Sequence, residues 1–280
     1  MPAARVSELH RTAFVTGAST GLGRAFAAML LADGVRVWGT ARDVARLEQV
    51  ASRPDEAALF TPVALDLGHG AHAEAVFHEA EDEAGGFDLT INNAGYGVFA
   101  EFTAADFSVW QAQLEVMLVN TARLSHAALR GLLARDHGAL VNISSLAAEF
   151  PLPYQSAYNM AKAGLTALNE SLMLETTGTG VVILDVRPGD YRTDFEGAVL
   201  RPVKSETPRS ARAWAAFTAM MKSGPPPAHA AAALRRALLR NRSGTVRTGR
   251  FFQAALAPFV ARFGSLALKR RIQAKYFHVD

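Results

Sequence analysis

Tyr158 and Lys162 are the two residues whose types and spacing point most directly to chemistry. They lie four positions apart in a segment, 157–176, that reads as a helix, so both side chains are expected on one helix face. A free tyrosine has a pKa of about 10, and a neighbouring ammonium favours the phenolate. The pair suggests a tyrosine that exchanges a proton with a substrate, although the same spacing also occurs in ordinary exposed helix pairs.

Two further polar residues precede this pair in the chain. Ser145 follows a predicted fifth strand, 139–144, and hydroxyl groups at the carboxyl ends of parallel strands lie where sites of α/β proteins form. Asn120 falls inside a long predicted helix, where asparagine is mildly unfavourable, which suggests a polar role. Taken singly, Ser145 also fits a loop cap and Asn120 a surface residue.

A glycine-rich turn lies between the first predicted strand, 12–16, and the first predicted helix, 23–32. Glycines there allow a tight turn and close approach of the backbone to a pyrophosphate, and the helix N-terminus adds N–H donors. A plain strand-to-helix turn is the alternative. The predicted cofactor contacts in this turn are Gly17, Ser19, Thr20, Gly21, Leu22 and Gly23.

The residues after the second predicted strand, 35–40, bear on the choice between NAD and NADP. An NAD site usually places an acidic residue there, whereas this chain has Arg42, a guanidinium suited to a 2′-phosphate. Asp43 is the alternative if the register is one residue later, and Arg42 also fits a solvated surface arginine. We expect NADP(H) to be preferred, with NAD(H) as the alternative.

Small and polar residues also follow the third and fourth predicted strands, 60–65 and 87–92. A carboxylate at Asp66 can accept a hydrogen bond from an adenine amino group, although aspartate is also common in turns. The side chain of one of the two asparagines, Asn92 or Asn93, can bridge neighbouring strands. The predicted cofactor contacts here are Asp66, Leu67, Asn93, Ala94 and Gly95.

The alternation of short apolar runs with helical stretches predicts a parallel sheet with helices on both faces, in a doubly wound arrangement. After Pro188 the alternation of strands and helices stops. Residues 189–228 have few strand signals, and we expect this excursion to pass over the carboxyl edge of the sheet. A last short strand is expected over 245–248. One or two long helices are predicted over 104–135, and further helices over 44–52, 71–84, 230–240 and, with interruptions, 251–275.

Several of these features occur together and in a fixed order: TGASTGLG, Asp66, NNAG, Asn120, Ser145, Tyr158-x-x-x-Lys162 and a PG-x-x-x-T stretch that ends at Thr193. As a set they resemble the short-chain dehydrogenase/reductase family over about two thirds of the chain. The resemblance implies a single-domain Rossmann-type fold, a seven-stranded sheet and a homo-oligomer, either a homodimer or a homotetramer.

The resemblance also implies a catalytic set of Asn120, Ser145, Tyr158 and Lys162. Tyr158 would exchange the proton with the substrate oxygen while a hydride moves to or from the nicotinamide. Ser145 would hydrogen-bond that oxygen, and Lys162 would lower the pKa of Tyr158 and hold the ribose. Asn120 would anchor a water that relays protons.

Three residues of the PG-x-x-x-T stretch, Pro188, Gly189 and Thr193, would border the nicotinamide carboxamide. Tyr191 departs from the family pattern, which more often has a small aliphatic residue there, so its side chain is expected to crowd or line the site. The family likeness supports Arg42 as an NADP determinant. Thr20 stands where another NADP-preferring subgroup has a basic residue, so the preference rests largely on Arg42.

Aromatic and aliphatic side chains on loops at the sheet edge predict an apolar substrate pocket. A likeness to steroid and retinoid dehydrogenases of the family also favours a bulky lipophilic ketone or alcohol, and hence a carbonyl reductase. Each residue taken alone also fits ordinary packing. The predicted substrate contacts are Tyr96, Leu146, Leu152, Tyr154 and Phe195.

The composition limits the other classes of function. The chain has no cysteine, which excludes disulfides and cysteine-bound metal, and we expect no metal site and a cytoplasmic protein without a secretory leader. Residues 201–280 hold 16 of the 29 basic and 2 of the 26 acidic side chains, which leaves 13 basic and 24 acidic side chains in residues 1–200. The basic part is interpreted as docked on the acidic body of its own or a partner subunit.

Peripheral membrane contact is the alternative for the basic end, with Phe251, Phe252, Phe259, Phe263, Leu266 and Leu268 facing lipid and five basic side chains facing the headgroups. Nucleic acid is disfavoured because no recognised motif occurs. The predicted domain is a single unit over 1–280, made of a cofactor half, 10–115, a catalytic and substrate half, 116–250, and a basic extension, 251–280.

Two other functions stay open at this level. One is a non-catalytic NADP(H)-binding sensor or scaffold on the same fold, which would have no need of Tyr158 and Lys162. The other is a related enzyme such as a sugar epimerase, but those chains are longer and have a different glycine spacing. We therefore expect an NAD(P)-dependent oxidoreductase.

Overall fold

The computed structural model describes residues 4–202, 207–256 and 265–279. Two parallel sheets occur in these residues. Their strands are β1 (Thr12–Val15), β2 (Arg36–Ala41), β3 (Phe60–Ala64), β4 (Leu89–Asn92), β5 (Gly97–Val98), β6 (Gly138–Ile143), β7 (Val181–Pro188), β8 (Val199–Leu200) and β9 (Gly244–Thr248).

The main sheet has seven strands in the order β3-β2-β1-β4-β6-β7-β9, and every neighbouring pair is parallel. This is the predicted doubly wound, Rossmann-type arrangement. The chain winds outward from β1 in both directions, so the carboxyl ends of β1 and β4 diverge and leave a crevice, where ligands of such sheets bind.

Nine helices accompany the strands in the described part of the chain. They are α1 (Gly21–Ala32), α2 (Pro54–Ala57), α3 (Gly70–Ala84), α4 (Phe107–Leu114), α5 (Asn120–Arg135), α6 (Ser156–Glu175), α7 (Pro208–Ser223), α8 (Pro227–Arg240) and α9 (Leu266–Tyr276).

Two apolar layers cover the two faces of the sheet. In the first, Phe26 and Leu30 of α1 and Leu234 of α8 pack on side chains of the central strands. In the second, Phe77 of α3 and Leu124 of α5 pack on the opposite face. All residues of β1, β4, β6 and β7 are buried, which explains their nearly continuous apolar sequences.

One prediction about the elements is wrong. The helix expected over 44–52 is only a 3₁₀ turn, Val44–Leu47, because Asp43 caps it and the chain then turns at Val50. The excursion after Pro188 contains the sixteen-residue helix α7 and the short strand β8. The segment 104–135, predicted as one or two helices, holds α4 and α5, joined by a π-helical segment, Glu115–Val119.

Two basic side chains of the C-terminal part form ion pairs with acidic residues of the body. Arg235 pairs with Asp33 at 2.7 Å, and Arg247 pairs with Glu149 at 2.8 Å. Of the aromatic residues suggested for membrane contact, Phe259 and Phe263 lie outside the described residues. Among the described helices, none has the length and apolarity needed to cross a bilayer.

Candidate active site

A cleft of about 1410 Å³ opens at the carboxyl ends of the strands of the main sheet. Its wall includes Ser145, Tyr158 and Lys162, together with most of the predicted cofactor contacts. Three predicted site residues, Gly23, Asn120 and Tyr154, do not form its wall. Each has a different place in the fold.

The glycine turn keeps the cleft open at the end of β1. Gly17 has a φ of 67°, and a Cβ there would lie 2.9 Å from the Cα of Ala94. A Cβ on Gly23 would lie 2.1 Å from the carbonyl oxygen of Gly17, so Gly23 allows α1 to pack on the turn rather than contacting the cleft. The side chain of Thr20, at the N-cap, makes no capping hydrogen bond. The first N–H groups of α1 therefore need another partner, such as an anion.

Asn93 fixes the neighbouring turn after β4. Its Nδ2 donates to the carbonyl oxygens of Thr16 at 3.0 Å and Gly17 at 3.2 Å. The hydroxyl of Thr16 accepts from the backbone N–H groups of Asn93 and Ala94. The predicted bridging role of this asparagine is confirmed, and it holds the two turns of the crevice together.

The residues after β2 present positive charge to the cleft. Arg42 and Arg46 both line it. Asp43 is engaged locally, because its Oδ1 accepts from the backbone N–H of Ala45 at 3.1 Å and caps the following 3₁₀ turn. Asp43 also lines the cleft, and Oδ1 is the oxygen that it uses for the cap. Arg46 was missed from the sequence, and its position four residues after Arg42 was the available signal.

Asp66 also lines the cleft, and its Oδ1 accepts from the backbone N–H of Gly68 at 2.8 Å. Asn120 lies behind this loop. Its Nδ2 donates to the carbonyl oxygen of Leu67 at 2.7 Å, and a Cβ on Gly70 would collide with its Oδ1. The Asn120 side chain therefore positions the loop after β3 and does not form part of the wall of the cleft.

Tyr158 and Ser145 come together from neighbouring elements. Tyr158 lies in the first turn of α6, and Ser145 follows β6, where its Oγ caps a 3₁₀ turn by accepting from Ala147 N at 3.0 Å. Burial raises the pKa of Tyr158, a hydrogen bond from the Ser145 hydroxyl lowers it, and the nearby carboxylate of Asp190 raises it. The protonated phenol is thus favoured when no cofactor charge is present.

Lys162 lies one helical turn after Tyr158, as the spacing predicts. Its Nζ is 5.7 Å from the centroid of the Tyr158 ring and donates to the carbonyl oxygen of Ile143 at 2.7 Å. Burial lowers the pKa of Lys162 to about 8, while the carboxylate of Asp185 acts in the opposite direction. At neutral pH the ammonium form still dominates and can act on the phenol.

A buried charged cluster that the sequence did not reveal lies beneath these residues. Asp185 is fully buried and accepts from Ser144 Oγ at 2.5 Å and from Asn169 Nδ2 at 3.1 Å. Its other oxygen accepts from Arg187 Nε at 2.6 Å, and Arg187 also contacts Glu149 at 2.6 Å. Every carboxylate oxygen of Asp185 is thus satisfied, which keeps a negative charge close to Lys162.

Four of the five predicted substrate contacts, Tyr96, Leu146, Leu152 and Phe195, line the cleft. The ring of Phe195 lies 5.9 Å from that of Tyr158, measured between centroids. Tyr154 instead packs on Phe99, with the ring centroids 5.2 Å apart, in an apolar cluster beside α7. Its aromatic surface is used in packing.

Tyr191 is part of the wall of the cleft, as its size in this position led us to expect. Its phenol group contacts Thr248 Oγ1 at 2.6 Å and His229 Nδ1 at 2.8 Å, so it is anchored to β9 and α8. The side chain is almost completely buried. These two contacts explain how the PG-x-x-x-T turn accommodates a large residue.

The C-terminal segment closes the far side of the cleft, and sequence patterns did not indicate this. Side chains of α9 and of the preceding segment contribute to the wall, together with Asp190, which follows the Pro188–Gly189 turn. These residues are Gln253, Leu268, Lys269, Ile272, Gln273, Tyr276 and Phe277. The only available signal was the amphipathic character of the tail.

Comparisons with known proteins agree with this site. A family model described as short chain dehydrogenase matches residues 11–203. A short chain dehydrogenase of Pseudocercospora fijiensis is 32% identical over 188 residues, which are 66% of this chain and 61% of that protein. The match therefore spans less than two thirds of the fungal relative.

Solved structures extend the likeness to the C-terminal part. A short-chain dehydrogenase from Streptomyces avermitilis is 29% identical, with a TM-score of 0.80 over 97% of this chain and 98% of the other. A metagenomic short-chain oxidoreductase in complex with NADP is 29% identical, with a TM-score of 0.66 over 84% and 96%. A Burkholderia phymatum protein in complex with NAD shares the fold, at 22% identity and a TM-score of 0.78 over 91% and 92%. The chain therefore belongs to the short-chain dehydrogenase family and is an NAD(P)-dependent oxidoreductase.

Proposed function

We propose that this protein interconverts a ketone or aldehyde and an alcohol on a bulky apolar substrate, with NADP(H) as the preferred cofactor. The observation that carries the proposal is the convergence of Ser145, Tyr158 and Lys162 at the boundary between the glycine turn and a largely apolar compartment. One side of this boundary offers donors for a nucleotide. The other offers Leu146, Leu152 and Phe195 for a substrate body.

The residues of the cleft fit a nicotinamide dinucleotide. The open glycine turn and the uncapped N-terminus of α1 suit a pyrophosphate, and Arg42 with Arg46 suits a 2′-phosphate. When bound, the cofactor would supply or accept the hydride of the reaction.

The protein side of the reaction follows from the positions of the three side chains. Ser145 would hold the substrate oxygen through its hydroxyl, and Tyr158 would donate its phenolic proton to that oxygen during reduction. The Lys162 ammonium would stabilise the phenolate that remains. In the oxidative direction the phenolate would take the proton from the alcohol.

Replacement of Tyr158 by Phe tests this assignment. We expect kcat for ketone reduction to fall at least about a hundredfold, because the variant lacks the proton donor. NADPH binding and thermal stability are expected to stay close to those of the wild type, and both serve as controls. Unchanged turnover of a substrate accepted by the wild type would contradict the mechanism.

The same experiment separates the enzyme from the sensor or scaffold alternative. A sensor would bind NADPH but would reduce none of a panel of ketones and aldehydes. The alternative is disfavoured by the cost of burying Lys162 next to Tyr158, since nucleotide binding alone does not require a perturbed lysine.

The assembly is proposed to be a homodimer or a homotetramer, and a peripheral membrane contact through the C-terminal segment is a further proposal. Phe251 is 79% exposed and Leu266 is 61% exposed, which supports a contact of this kind. Co-sedimentation with anionic vesicles, with and without residues 251–280, tests it. If the full chain fails to sediment at every salt concentration, the membrane proposal is wrong.

A further inference from the structure

We infer that α9 forms the substrate-selecting wall of the cleft and that Asp190 is the positioning residue that holds this wall in place. The inference rests on the proposed function, because it concerns the substrate of that same site. It specifies the substrate as a carbonyl compound whose apolar body extends from Tyr158 towards α9.

Asp190 connects three separate parts of the chain. It directly follows the Pro188–Gly189 turn, and its Oδ2 accepts from Gln253 Nε2 and from the Tyr276 hydroxyl at 3.4 Å. Gln253 Nε2 also contacts the Tyr276 hydroxyl at 3.0 Å, and Gln253 Oε1 accepts from the backbone N–H of Asp190 at 3.4 Å. The end of β7 is thereby linked to the segment before α9 and to α9 itself.

The helix is also attached on the opposite side of the cleft. Lys269 Nζ donates to the carbonyl oxygen of Glu149, and Gln273 Nε2 donates to that of Pro151 at 2.9 Å. The Lys269 ammonium lies 4.9 Å from the ring centroid of Phe150. Because these contacts are on the loop after β6, α9 bridges the mouth of the cleft from that loop to Asp190.

The wall formed by α9 and the residue after it carries both polar and apolar groups. Leu268 and Ile272 of α9 and Phe277 just after it line the cavity, where Leu146 and Phe195 also contribute apolar surface. The polar groups that attach the helix line the same cavity. An apolar body that reaches from the nicotinamide end to α9 would therefore contact the apolar side chains of this wall, while a small ketone would leave them uncontacted.

Asp190 is also electrostatically close to the reacting group, because its carboxylate raises the pKa of Tyr158. The residue that holds α9 in place therefore also acts electrostatically on the phenol of Tyr158. Its role is argued to be positional, since its hydrogen bonds in the structure are to Gln253 and Tyr276.

The first test compares cyclohexanone with decalone, which is the same ketone enlarged by a second fused ring. In the NADPH-loaded enzyme, Ile272→Trp is expected to lower kcat/KM for decalone roughly tenfold or more and to change that for cyclohexanone less than about threefold. Arg270→Ala, on the exposed side of α9, is the matched control and should change neither value. Equal effects of Ile272→Trp on the two ketones would overturn the assignment of α9 as the selecting wall.

The second test measures binding directly, so that it does not depend on turnover. Saturation-transfer NMR with NADP⁺-loaded protein should show decalone binding to the wild type several-fold more tightly than cyclohexanone, and this preference should be lost in Ile272→Trp. If the wild type shows no preference for the larger ketone, the inferred substrate class is wrong. If decalone binds with this preference but no ketone or alcohol is turned over, the proposed function fails while the wall assignment stands.

The third test addresses the Asp190 contacts. Tyr276→Phe and Asp190→Ala should both accelerate hydrogen–deuterium exchange of amides in 266–276, while amides of α6 keep wild-type rates. Both variants should raise KM for decalone about three- to tenfold with a smaller change in kcat, the size expected for lost hydrogen bonds. Because Tyr276→Phe removes only one hydroxyl, it covers the case in which Asp190→Ala fails to fold. Unchanged exchange and KM in Tyr276→Phe would overturn the positioning role.

Discussion

Lys162 illustrates at the scale of one residue how chemistry and stability oppose each other. Its side chain is only 5% exposed, and burial lowers its pKa from 10.5 to about 8. Because the folded protein binds this proton more weakly than the unfolded chain, the buried ammonium costs stability below pH 8. The cost falls away as the pH rises from 8 towards 10.5, where both states become neutral.

We predict that Lys162→Met stabilises the protein at pH 7 while it abolishes most activity. A pKa lowered by this amount corresponds to about 3 kcal/mol, and the lost hydrogen bond to Ile143 reduces the expected gain to about 1–2 kcal/mol. Urea unfolding of both proteins at pH 7 and at pH 9.5 measures the difference in the free energy of unfolding. We expect a smaller difference at the higher pH. A variant less stable than the wild type at pH 7 would contradict this explanation.

A second prediction at the residue scale concerns Arg42. Its replacement by Ala is expected to raise the Kd for NADPH about ten- to a hundredfold, because a charge-assisted contact with the 2′-phosphate is lost. The Kd for NADH should change less than about threefold. Arg36→Ala is the matched control, since Arg36 begins the same strand and stacks on Trp38, 4.8 Å from its ring centroid. Equal losses for both cofactors would show that Arg42 does not select NADP.

At the scale of the elements, the segment just before β1 carries a buried histidine side chain. His10 is 1% exposed, and neither ring nitrogen has a hydrogen-bond partner among the described residues. Burial lowers its pKa from 6.5 to about 4, and nearby His137 adds to this effect. The ring is therefore neutral in the folded protein at pH 7. Between pH 6.5 and about 4 it becomes protonated more readily in the unfolded chain than in the folded protein.

We predict that acid destabilises the fold through His10. Because its folded pKa is below its unfolded value, stability falls as the pH decreases from 6.5 to about 4, by on the order of 3 kcal/mol in total. His10→Phe should remove most of this slope. The measurement is the free energy of unfolding at several pH values, with His72→Phe, a histidine on the exposed face of α3, as control. Parallel slopes for wild type and His10→Phe would contradict the prediction.

At the scale of the whole molecule, apolar side chains on the outer faces of two neighbouring helices support the proposed assembly. Leu133 of α5 is 42% exposed, and Met160 and Leu174 of α6 are 45% and 78% exposed. Burial of such side chains between subunits is favourable by about 25 cal/mol per Å². A homo-oligomer would therefore cover surface that the single chain leaves in water.

We predict a mass of two or four chains in solution. Light scattering after size-exclusion chromatography measures it, and Leu174→Glu is expected to shift the distribution towards smaller species, because a carboxylate would be buried in the contact. Glu79→Gln, on α3, serves as a surface control. A wild-type protein that remains monomeric at high concentration would refute the proposal.

The sequence by itself determined the doubly wound arrangement of parallel strands and helices and the place of the glycine turn. These features depend on local patterns: apolar strands, glycines between β1 and α1, and the spacing of Tyr158 and Lys162 on one helix face. It also indicated Arg42 and the bridging role of Asn93. These features depend on residues that are close together in the chain, so they can be predicted from the sequence alone.

Only the tertiary structure decided the C-terminal wall of the cleft. Asp190, Gln253 and Tyr276 are separated by dozens of residues, and no periodicity links them. The side-chain direction of Asn120 and the packing of Tyr154 also depend on distant residues, namely Leu67 and Phe99. Contacts between residues far apart in the chain are set by how the elements pack, which is why α9 became part of the site only once the fold was known.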